Sequence, residues 1–348
     1  MTTINPYLKR IPRRKTYSAG EYVSGILKGN ITLLSQAVTL VESAKQEHKL
    51  LAQQLIERCL PYSGKSIRIG ITGVPGAGKS SLIDILGMYL IGQGHKVAVL
   101  AIDPSSERTK GSILGDKTRM EALSHEKNAF IRPSPSAGTL GGVARKTHDT
   151  VVLCEAAGYD TIFIETVGVG QSETAVHSMV DFFLLIQLTG AGDELQGIKR
   201  GIMEMADGII VNKADGDNLQ KAQLAAVNFR NILHLFQPAD SGKTPAVLTC
   251  SKYNVRDIKE VWDMIHEYIT FTKANGYFDR KRNEQAKYRM HESLNNQLHD
   301  VFYHHPKIAK QLPVMEQKVL NNEISSFHAA QQLIEQLFNY ELRITNVP

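Results

Sequence analysis

Apolar residues along the chain follow two different spacings, which predict helices at both ends and a sheet between them. In residues 19–60 they recur every three or four positions, as Ile31, Leu34 and Val38 do, which is typical of amphipathic helices. From residue 67 onward, short and nearly continuous apolar runs alternate with helical stretches. We predict six strands, over residues 67–72, 97–102, 161–165, 182–187, 208–212 and 246–249, and helices over about 79–92, 141–157, 217–235 and 255–272.

This alternation predicts the fold class. Strands that are apolar on both faces and alternate with helices form parallel sheets with helices on each side, and such sheets bind ligands at the carboxyl ends of their strands. We therefore predict an α/β fold with a doubly wound, mostly parallel sheet and helical extensions at both chain ends. The predicted domains are an N-terminal helical extension (1–60), a central domain (61–272) and a C-terminal helical extension (273–348).

After residue 272 the strand pattern is lost. Residues 316–342 are predicted to form one amphipathic helix with a wide apolar stripe, which includes Val319, Ile324 and Leu333. A stripe of this width needs a partner surface, either the chain's own core or a second subunit. We favour the second subunit and interpret residues 273–348 as a dimerisation extension.

Composition and charge exclude several classes of protein. The 348 residues are 42% hydrophobic and 22% charged with a net charge of +5, as in ordinary globular proteins. Outside residues 9–15, the basic residues form no stripe of the kind that binds nucleic acid. Apolar runs fall far short of the roughly 18 residues of a membrane span, and no apolar signal region follows the basic N-terminal segment. The wide spacing of Cys59, Cys154 and Cys250 favours buried thiols over disulfides or a zinc site. We predict a cytoplasmic protein without nucleic-acid or membrane partners.

The first chemical signal lies at residues 73–80. Gly73, Gly78, Lys79 and Ser80 complete the phosphate-loop pattern G-x-x-x-x-G-K-[ST], between an apolar strand and a helical stretch. The glycines allow successive backbone N–H groups to face phosphate oxygens, while the lysine reaches the β- and γ-phosphates and the serine hydroxyl ligates Mg²⁺. The chain is thus predicted to be a P-loop NTPase. The predicted contacts in this loop are Gly73, Val74, Pro75, Gly76, Ala77, Gly78, Lys79, Ser80 and Ser81.

The second signal selects the base. The tetrapeptide N-K-x-D follows an apolar strand at residues 212–215. The Asp215 carboxylate would accept hydrogen bonds from guanine N1–H and from the exocyclic amine, groups that adenine does not present, while Asn212 would contact the O6/N7 edge and Lys213 would cover the ring. We therefore predict GTP rather than ATP as the substrate, with GDP as the product. The loop after the next strand would reach O6, through Ser251, Lys252 and Tyr253.

The third signal is a set of acidic residues near strand ends. Glu165 ends a strand, where a carboxylate would hold Mg²⁺ directly or through water, and the Gly168 N–H would contact the γ-phosphate. Asp103 and Asp116 are further candidates for Mg²⁺ or for a nucleotide-dependent switch, although Asp116 also resembles the start of a helix. Gln171 is a candidate for orienting the attacking water. The catalytic candidates are Lys79, Asp103, Glu165 and Gln171, and the metal candidates are Ser80, Asp103, Asp116 and Glu165.

These stretches together resemble the MeaB/ArgK family of GTPases. The sequences that carry the resemblance are G-V-P-G-A-G-K-S-S from residue 73, D-P-S-S from 103, G-S-I-L-G-D-K-T-R-M from 111, E-T-V-G-V-G-Q-S-E from 165 and N-K-A-D from 212. Val74 stands where many ATPases of the same class have a lysine, as it does in the family. The resemblance covers roughly residues 20–340.

The resemblance implies a GTP-binding and GTP-hydrolysing chaperone that gates the delivery of adenosylcobalamin to methylmalonyl-CoA mutase, or to a related acyl-CoA mutase, and protects that enzyme. It implies a homodimer that binds Mg²⁺ with GTP or GDP, while adenosylcobalamin belongs to the client mutase. By position it also implies that residues 189–204 form an additional switch toward the mutase. No residue stands out as a general base, so we expect slow intrinsic hydrolysis that a partner or a conformational change completes.

Three other functions are considered from the residues alone. One is a non-catalytic scaffold assembled by the C-terminal helices, against which the intact phosphate loop and the acidic residues argue. A GTP-dependent metallochaperone of the nickel-insertion type would need a Cys/His cluster near the switches, which His148 and Cys154 do not make. An amino-acid-transport-linked NTPase or kinase would use ATP, and Asp215 argues against that nucleotide.

Overall fold

The computed structural model describes residues 17–43, 45–103, 120–135, 140–166, 172–189 and 200–345. In this part of the chain, seven parallel strands form one sheet in the order β3-β2-β4-β1-β5-β6-β7. The strands are β1 (Ile67–Gly73), β2 (Val97–Asp103), β3 (Ala129–Pro135), β4 (Thr161–Thr166), β5 (Phe182–Gln187), β6 (Gly208–Asn212) and β7 (Ala246–Cys250). The helices are α1 (Ala19–Leu27), α2 (Ile31–Glu42), α3 (Gln46–Cys59), α4 (Lys79–Gly92), α5 (Glu121–Ser124), α6 (Leu140–Ala156), α7 (Ser172–His177), α8 (Arg200–Met205), α9 (Leu219–Leu233), α10 (Val255–Ala274), α11 (Tyr277–Tyr303), α12 (Pro306–Leu320) and α13 (Ser326–Thr345).

The predicted α/β fold with a parallel, doubly wound sheet is confirmed, and the sheet has one strand more than the six predicted. The additional strand, β3, has the sequence A-F-I-R-P-S-P, in which two prolines interrupt the apolar run. It lies at the edge of the sheet and pairs with β2. An edge strand tolerates proline because one side of its backbone needs no ladder partner. A search for continuous apolar runs therefore could not find it.

Among the described residues, three apolar cores cover the two faces of the sheet, and the third lies where α9 packs against β6 and β7. On one face, helices α4 and α10 pack against the central strands, and this core includes Ile69, Leu82, Ile83, Phe163 and Ile265. On the other face, the N-terminal helices α1–α3 pack together with α6, and this core includes Ile26, Leu34, Leu55, Leu100 and Ile162. The N-terminal helices are therefore part of the second core.

A buried network of charged groups lies at the amino-terminal edge of the sheet. Arg282, in α11, donates hydrogen bonds to both carboxylate oxygens of Asp181, at 2.8 and 2.7 Å, and to the Ser66 carbonyl at 2.7 Å. Asp181 also accepts the backbone N–H of Arg68, whose guanidinium pairs with Glu155. The carboxylates of Asp181 and Glu155 are each only 1% exposed. These pairs hold the start of α11 against the edge opposite the carboxyl ends of the strands.

The chain separates into two compact units, residues 1–282 and 283–348. The second unit contains most of α11 together with α12 and α13. Among the described helices, not one combines the length and the apolar character that a membrane crossing requires. The second unit has a small apolar core of its own, which includes Ile308, Met315, Ala329 and Leu333.

The single helix predicted over residues 316–342 is wrong, because residues 321–325 separate α12 from α13. Asn322 has a φ of 60°, the left-handed conformation that commonly ends a helix and that asparagine adopts more readily than most residues. Ser325 then accepts the N–H of His328 on its hydroxyl oxygen at the start of α13. The apolar stripe continues on both sides of this break, which is why the periodic pattern did not reveal it.

Candidate nucleotide-binding site

The candidate site lies at the carboxyl edge of the sheet, where several loops converge. Strand β1 has β4 and β2 on one side and β5, β6 and β7 on the other. The direction of winding thus changes at β1, and doubly wound sheets leave a ligand-binding crevice at such a point. The loops that follow β1, β6 and β7 open onto this edge, and β4 ends at it.

The phosphate loop follows β1, and its backbone requires glycine. Gly76 and Gly78 have φ values of 79° and 90°, which residues with a Cβ rarely adopt. At Gly73, a Cβ would lie 2.2 Å from the carbonyl oxygen of Ile186 on β5, so the chain leaves the sheet in close contact with the neighbouring strand. Helix α4 begins directly after the loop, at Lys79. The N–H groups in the first turn of a helix carry a partial positive charge, which suits this position to phosphate binding.

The ammonium group of Lys79 is held inside the loop. Its Nζ donates hydrogen bonds to the carbonyl oxygens of Gly73, at 2.8 Å, and Val74, at 3.2 Å, and the side chain is buried. A buried ammonium needs such partners because its desolvation is costly. The contacts keep a positive charge at the place where the β- and γ-phosphates are predicted to bind.

Ser80 and Glu165 are brought together by the pairing of β1 with β4. Glu165 is opposite Ile71 in that ladder, and its carboxylate lies beside the first turn of α4. The Ser80 hydroxyl donates a hydrogen bond to Glu165 Oε1 at 2.7 Å. On the other face of the same strand pair, the hydroxyl of Thr166 donates to the hydroxyl of Thr72 at 2.9 Å. The two strand ends are therefore connected on both faces.

The Ser80–Glu165 pair fits a magnesium ion that arrives with the nucleotide. A hydroxyl and a carboxylate are hard oxygen ligands, and Mg²⁺ is commonly bound by one or two carboxylates together with substrate phosphates. The backbone of Asp103 ends β2 two residues after Ala101, which is paired with Glu165. Several other predicted site groups lie outside the described residues: the side chain of Asp103 and the whole of Asp116, Gly168 and Gln171.

The N-K-x-D loop is held by the loop that follows β7. The Ser251 hydroxyl donates a hydrogen bond to Asp215 Oδ2 at 2.8 Å, and the Ala214 N–H donates to the Cys250 carbonyl at 3.1 Å. Lys213 is exposed and has a φ of 58°, so its side chain extends outward from a sharp turn. These contacts hold the Asp215 carboxylate at the edge of the sheet, where the base is predicted to bind.

Asn212 makes a contact that sequence reasoning missed. Its side chain is buried, and its Nδ2 donates a hydrogen bond to the Ala77 carbonyl of the phosphate loop at 2.7 Å. A Cβ at Gly78 would lie 2.6 Å from the same nitrogen. Asn212 therefore connects the N-K-x-D loop (residues 212–215, the base loop) with the phosphate loop, and Gly78 leaves the space for this contact. The contact predicted between Asn212 and the purine edge stays a prediction.

Asp257 is a second residue that sequence reasoning missed. It lies in the first turn of α10, where its Oδ2 accepts the Ser251 N–H at 2.9 Å and its Oδ1 accepts Asn254 Nδ2 at 2.6 Å. An asparagine three residues before an acidic residue, at the start of an apolar helical pattern, is a helix-start signal that could have found this pair. Lys252 and Tyr253 form the exposed turn before the helix, and the Lys252 Nζ lies 4.9 Å from the centre of the tyrosine ring.

The cysteines form no second chemical centre. All three are buried free thiols. Burial raises the pKa of the Cys250 thiol to about 12, and the Asp257 carboxylate adds to the increase, so this thiol is protonated and unreactive at neutral pH. Within the described ranges, His, Cys, Asp and Glu side chains do not gather in groups of three or more that could hold a metal ion. A cluster of the kind that a nickel-insertion metallochaperone needs is therefore not found among these residues.

The fold and the site define the class of protein. A glycine-rich loop joins a central parallel strand to a helix, a carboxylate on the neighbouring strand contacts the serine of that loop, and an N-K-x-D loop opens onto the same edge. This combination is that of a P-loop NTPase, and within that class the N-K-x-D loop is typical of GTPases.

Comparison with known proteins gives the family. The family described as "Methylmalonyl Co-A mutase-associated GTPase MeaB" matches residues 34–307. A probable GTPase of Mycobacterium tuberculosis is 49% identical over 307 residues, which cover 88% of this chain and 91% of that protein. GTPase ArgK of Escherichia coli is 44% identical over 324 residues, or 90% and 95% of the two chains. The chain therefore belongs to the MeaB family and is a GTPase, which confirms the resemblance seen in its sequence.

Two further comparisons agree with this assignment. The mitochondrial methylmalonic aciduria type A homolog of Mus musculus is 44% identical over 322 residues, which cover 90% of this chain and 78% of the mouse protein. The crystal structure of an LAO/AO transport system kinase has a TM-score of 0.73 and 36% identity, and the match covers 92% of this chain and 97% of that chain. Both matches extend over nine-tenths or more of this chain, well beyond the nucleotide site.

Proposed function

We propose that this GTPase is a nucleotide-gated chaperone that delivers adenosylcobalamin to methylmalonyl-CoA mutase, or to a related acyl-CoA mutase, and protects that enzyme. The observation that carries the proposal is the match to a mutase-associated GTPase family over residues 34–307. The arrangement of Lys79, Ser80 and Glu165 supports it, because a gate of this kind needs a site that can distinguish nucleotide states.

In the proposed mechanism, the phosphate loop binds the β- and γ-phosphates of GTP. The Lys79 ammonium exchanges its contacts with the carbonyls of Gly73 and Val74 for phosphate oxygens, which are better partners for a positive charge. A magnesium ion bound with the nucleotide would supply positive charge against the negative charge of phosphoryl transfer. The residues that would hold it are Ser80, Asp103, Asp116 and Glu165.

Base recognition is assigned to the other side of the site. The Asp215 carboxylate accepts hydrogen bonds from guanine N1–H and from the 2-amino group, and the exposed Lys213 side chain lies over the ring. The loop with Ser251, Lys252 and Tyr253 contacts O6. Because Asn212 bonds the phosphate loop, an occupied base site supports the phosphate-binding conformation.

For hydrolysis, we assign the γ-phosphate contact to the Gly168 N–H and the orientation of the attacking water to Gln171. We expect the intrinsic rate to be slow, and we expect the mutase to accelerate it by completing the catalytic arrangement around the γ-phosphate. Residues 189–204 are the proposed switch toward the mutase.

Two substitutions test the nucleotide assignments. Lys79→Ala should weaken GDP and GTP binding together because it removes a positive charge from the phosphate site. Asp215→Asn should shift the preference from guanine to xanthine nucleotides, because an amide can donate to the 2-oxo group of xanthine. Isothermal titration with GDP, a non-hydrolysable GTP analogue, XDP and ADP measures both effects, and Lys259→Ala, which changes an exposed lysine of α10, is the matched control. Wild-type GDP affinity in Lys79→Ala would contradict the proposal.

Reconstitution with a purified mutase tests the chaperone role. The GTP-loaded protein should retain the mutase in a pull-down, and transfer of adenosylcobalamin should require GTP hydrolysis. A non-hydrolysable GTP analogue and Lys79→Ala should therefore both block transfer, while Lys259→Ala should not. If the mutase acquired its cofactor equally fast without the GTPase, the chaperone role would be wrong.

We also propose that the protein is a homodimer joined through its second unit. Helices α11, α12 and α13 border an apolar groove with a volume of about 790 Å³, whose lining includes Leu298, Leu312, Met315, Val319 and Leu333. Leu298 and Leu320 at this groove are 66% and 74% exposed, and a second copy of the chain would cover them.

Light scattering on size-exclusion fractions tests the dimer. The wild type should have the mass of two chains, and Leu320→Glu should have the mass of one. Val255→Glu, which changes a residue of similar exposure in the first unit, should stay dimeric. A monomeric wild type at micromolar concentration would contradict this part of the proposal.

We further propose that the protein works in the cytoplasm. Its three cysteines are free and buried, which agrees with a reducing compartment. Cell fractionation tests the location, and recovery of the protein in an exported or membrane fraction would contradict it.

A further inference from the structure

We propose that Asp257 is a positioning residue for guanine recognition, which it controls through Ser251 and Asp215. The inference rests on the proposed function of Asp215 as the group that binds guanine N1–H and the 2-amino group. Three consecutive hydrogen-bonded steps, all among described residues, carry the argument.

The first step joins Ser251 to Asp215. A carboxylate binds guanine through both oxygens only when its plane coincides with the plane of the base. The Ser251 hydroxyl donates to Asp215 Oδ2 at 2.8 Å and thereby fixes the rotation of the carboxylate. Ser251 is buried, so water competes little for this bond. The same hydroxyl oxygen accepts the Tyr253 N–H at 3.2 Å, which leaves its proton directed at Asp215.

The second step joins Asp257 to the backbone of Ser251. Asp257 Oδ2 accepts the Ser251 N–H at 2.9 Å, in the turn between β7 and α10. The Ser251 carbonyl accepts the Asn254 N–H at 3.1 Å and closes the same turn. The backbone of Ser251 is therefore held from both of its peptide groups, and the position of its hydroxyl follows from that of the backbone.

The third step fixes Asp257 itself. Its Oδ1 accepts Asn254 Nδ2 at 2.6 Å, while Asn254 Oδ1 caps α10 by accepting the Arg256 N–H at 3.1 Å. A carboxylate in the first turn of a helix is also favoured by the helix dipole. Asp257 thus bonds the loop that follows β7 and the capping side chain, whereas the cap itself is made by Asn254. The contact of Asp257 with Ser251 is therefore not needed to cap the helix.

The alignment of the Asp215 carboxylate with the plane of the base can be measured by comparing guanine with hypoxanthine. Hypoxanthine has the same O6 and N1–H groups but no 2-amino group, so it makes one hydrogen bond to Asp215 where guanine makes two. Free rotation of the carboxylate weakens the two-bond contact more than the one-bond contact. Asp257→Ala should therefore lower the preference for GDP over IDP about fivefold, as expected for one weakened hydrogen bond to a charged group.

The experiment is isothermal titration of GDP and IDP into the wild type, Asp257→Ala, Ser251→Ala and the double variant. The double variant should prefer GDP over IDP as strongly as Ser251→Ala alone does, because Asp257 acts through Ser251. Asp257→Asn keeps one acceptor oxygen and should restore most of the preference. Asp263→Ala is the matched control, because this aspartate lies on the same helix in an exposed pair with Lys259.

The outcomes separate this inference from the function on which it rests. If Asp257→Ala lowered the melting temperature but kept the GDP-to-IDP preference, Asp257 would be only a structural residue of the turn. An equal loss in Asp257→Asn and Asp257→Ala would also overturn the inference. If Asp215→Asn did not change the preference between GDP and XDP, the assignment of the base site itself would fail.

Discussion

Replacing Gly78 with alanine should impair the nucleotide site more than replacing Gly76, although both glycines belong to the same loop. Both residues have positive φ, 79° at Gly76 and 90° at Gly78. The difference between them lies in what a side chain would meet. A Cβ at Gly76 finds no atom within 4 Å, whereas a Cβ at Gly78 would lie 2.6 Å from Asn212 Nδ2.

The expected magnitudes follow from these two geometries. Alanine in a left-handed conformation costs about 1–2 kcal/mol, and Gly76→Ala should lower the free energy of unfolding by that amount alone. At Gly78, the new methyl group must also displace the Asn212 amide from the Ala77 carbonyl. A buried polar group that loses its hydrogen bond costs about 1–3 kcal/mol more. Gly78→Ala should therefore cost about 2–5 kcal/mol in all.

Urea denaturation and GDP titration of both variants provide the assay. GDP affinity should fall further in Gly78→Ala than in Gly76→Ala, because the phosphate loop then loses its connection with the base loop. In an Asn212→Ala background the two glycine substitutions should lower stability and GDP affinity equally, since there is no longer an amide to displace. Equal effects of the two glycine variants in the wild-type background would refute the reasoning.

Two further predictions concern charged groups away from the nucleotide. Burial lowers the pKa of His177 to about 4 from an ordinary value of 6.5. As the pH falls, the unfolded chain therefore takes up a proton at His177 before the folded chain does. The contribution of neutral His177 to the stability of the fold is complete above pH 6.5 and is lost as the pH falls toward 4. The wild type should lose about 2 kcal/mol between pH 7 and pH 5 in urea denaturation, and His177→Gln should lose less. Arg282→Met leaves the buried Asp181 without its guanidinium partner and should cost about 3–5 kcal/mol. Arg256→Met removes an exposed pair with Glu260 and should cost less than about 1 kcal/mol in the same assay.

The sequence was informative wherever the chemistry is local. The phosphate loop and the N-K-x-D loop are contiguous, and their backbone conformation depends on neighbouring residues, so their place at strand ends could be predicted. The strands in the centre of the sheet are apolar on both faces and were found for that reason. β3 was not found, because an edge strand can contain Pro133 and Pro135 without losing its ladder.

Contacts between segments that are distant in the chain could not be predicted from the sequence. Asn212 and Ala77 are 135 residues apart, and Ser80 and Glu165 are 85 apart. Each pair meets because the strand order brings the ends of β1, β4 and β6 to one edge, and an apolar pattern gives strand positions without giving that order. Asp257 is different, since it lies only six residues from Ser251. Its contact with Ser251 could not be predicted, because the local pattern indicates a helix start but not that Asp257 accepts the Ser251 N–H.

The positions of these contacts indicate that the two sides of the site have different roles. On one side of β1, Ser80 contacts Glu165 on β4, the strand that leads toward the predicted γ-phosphate contacts. On the other side, Asn212 and the pair formed by Asp215 and Ser251 hold the base loops through buried or half-buried hydrogen bonds that do not involve the γ-phosphate region. Loss of the γ-phosphate should therefore act on β4 and leave the base loops unchanged. In the proposed gate, guanine nucleotide should therefore stay bound in both states, because only one side of the site depends on the number of phosphates.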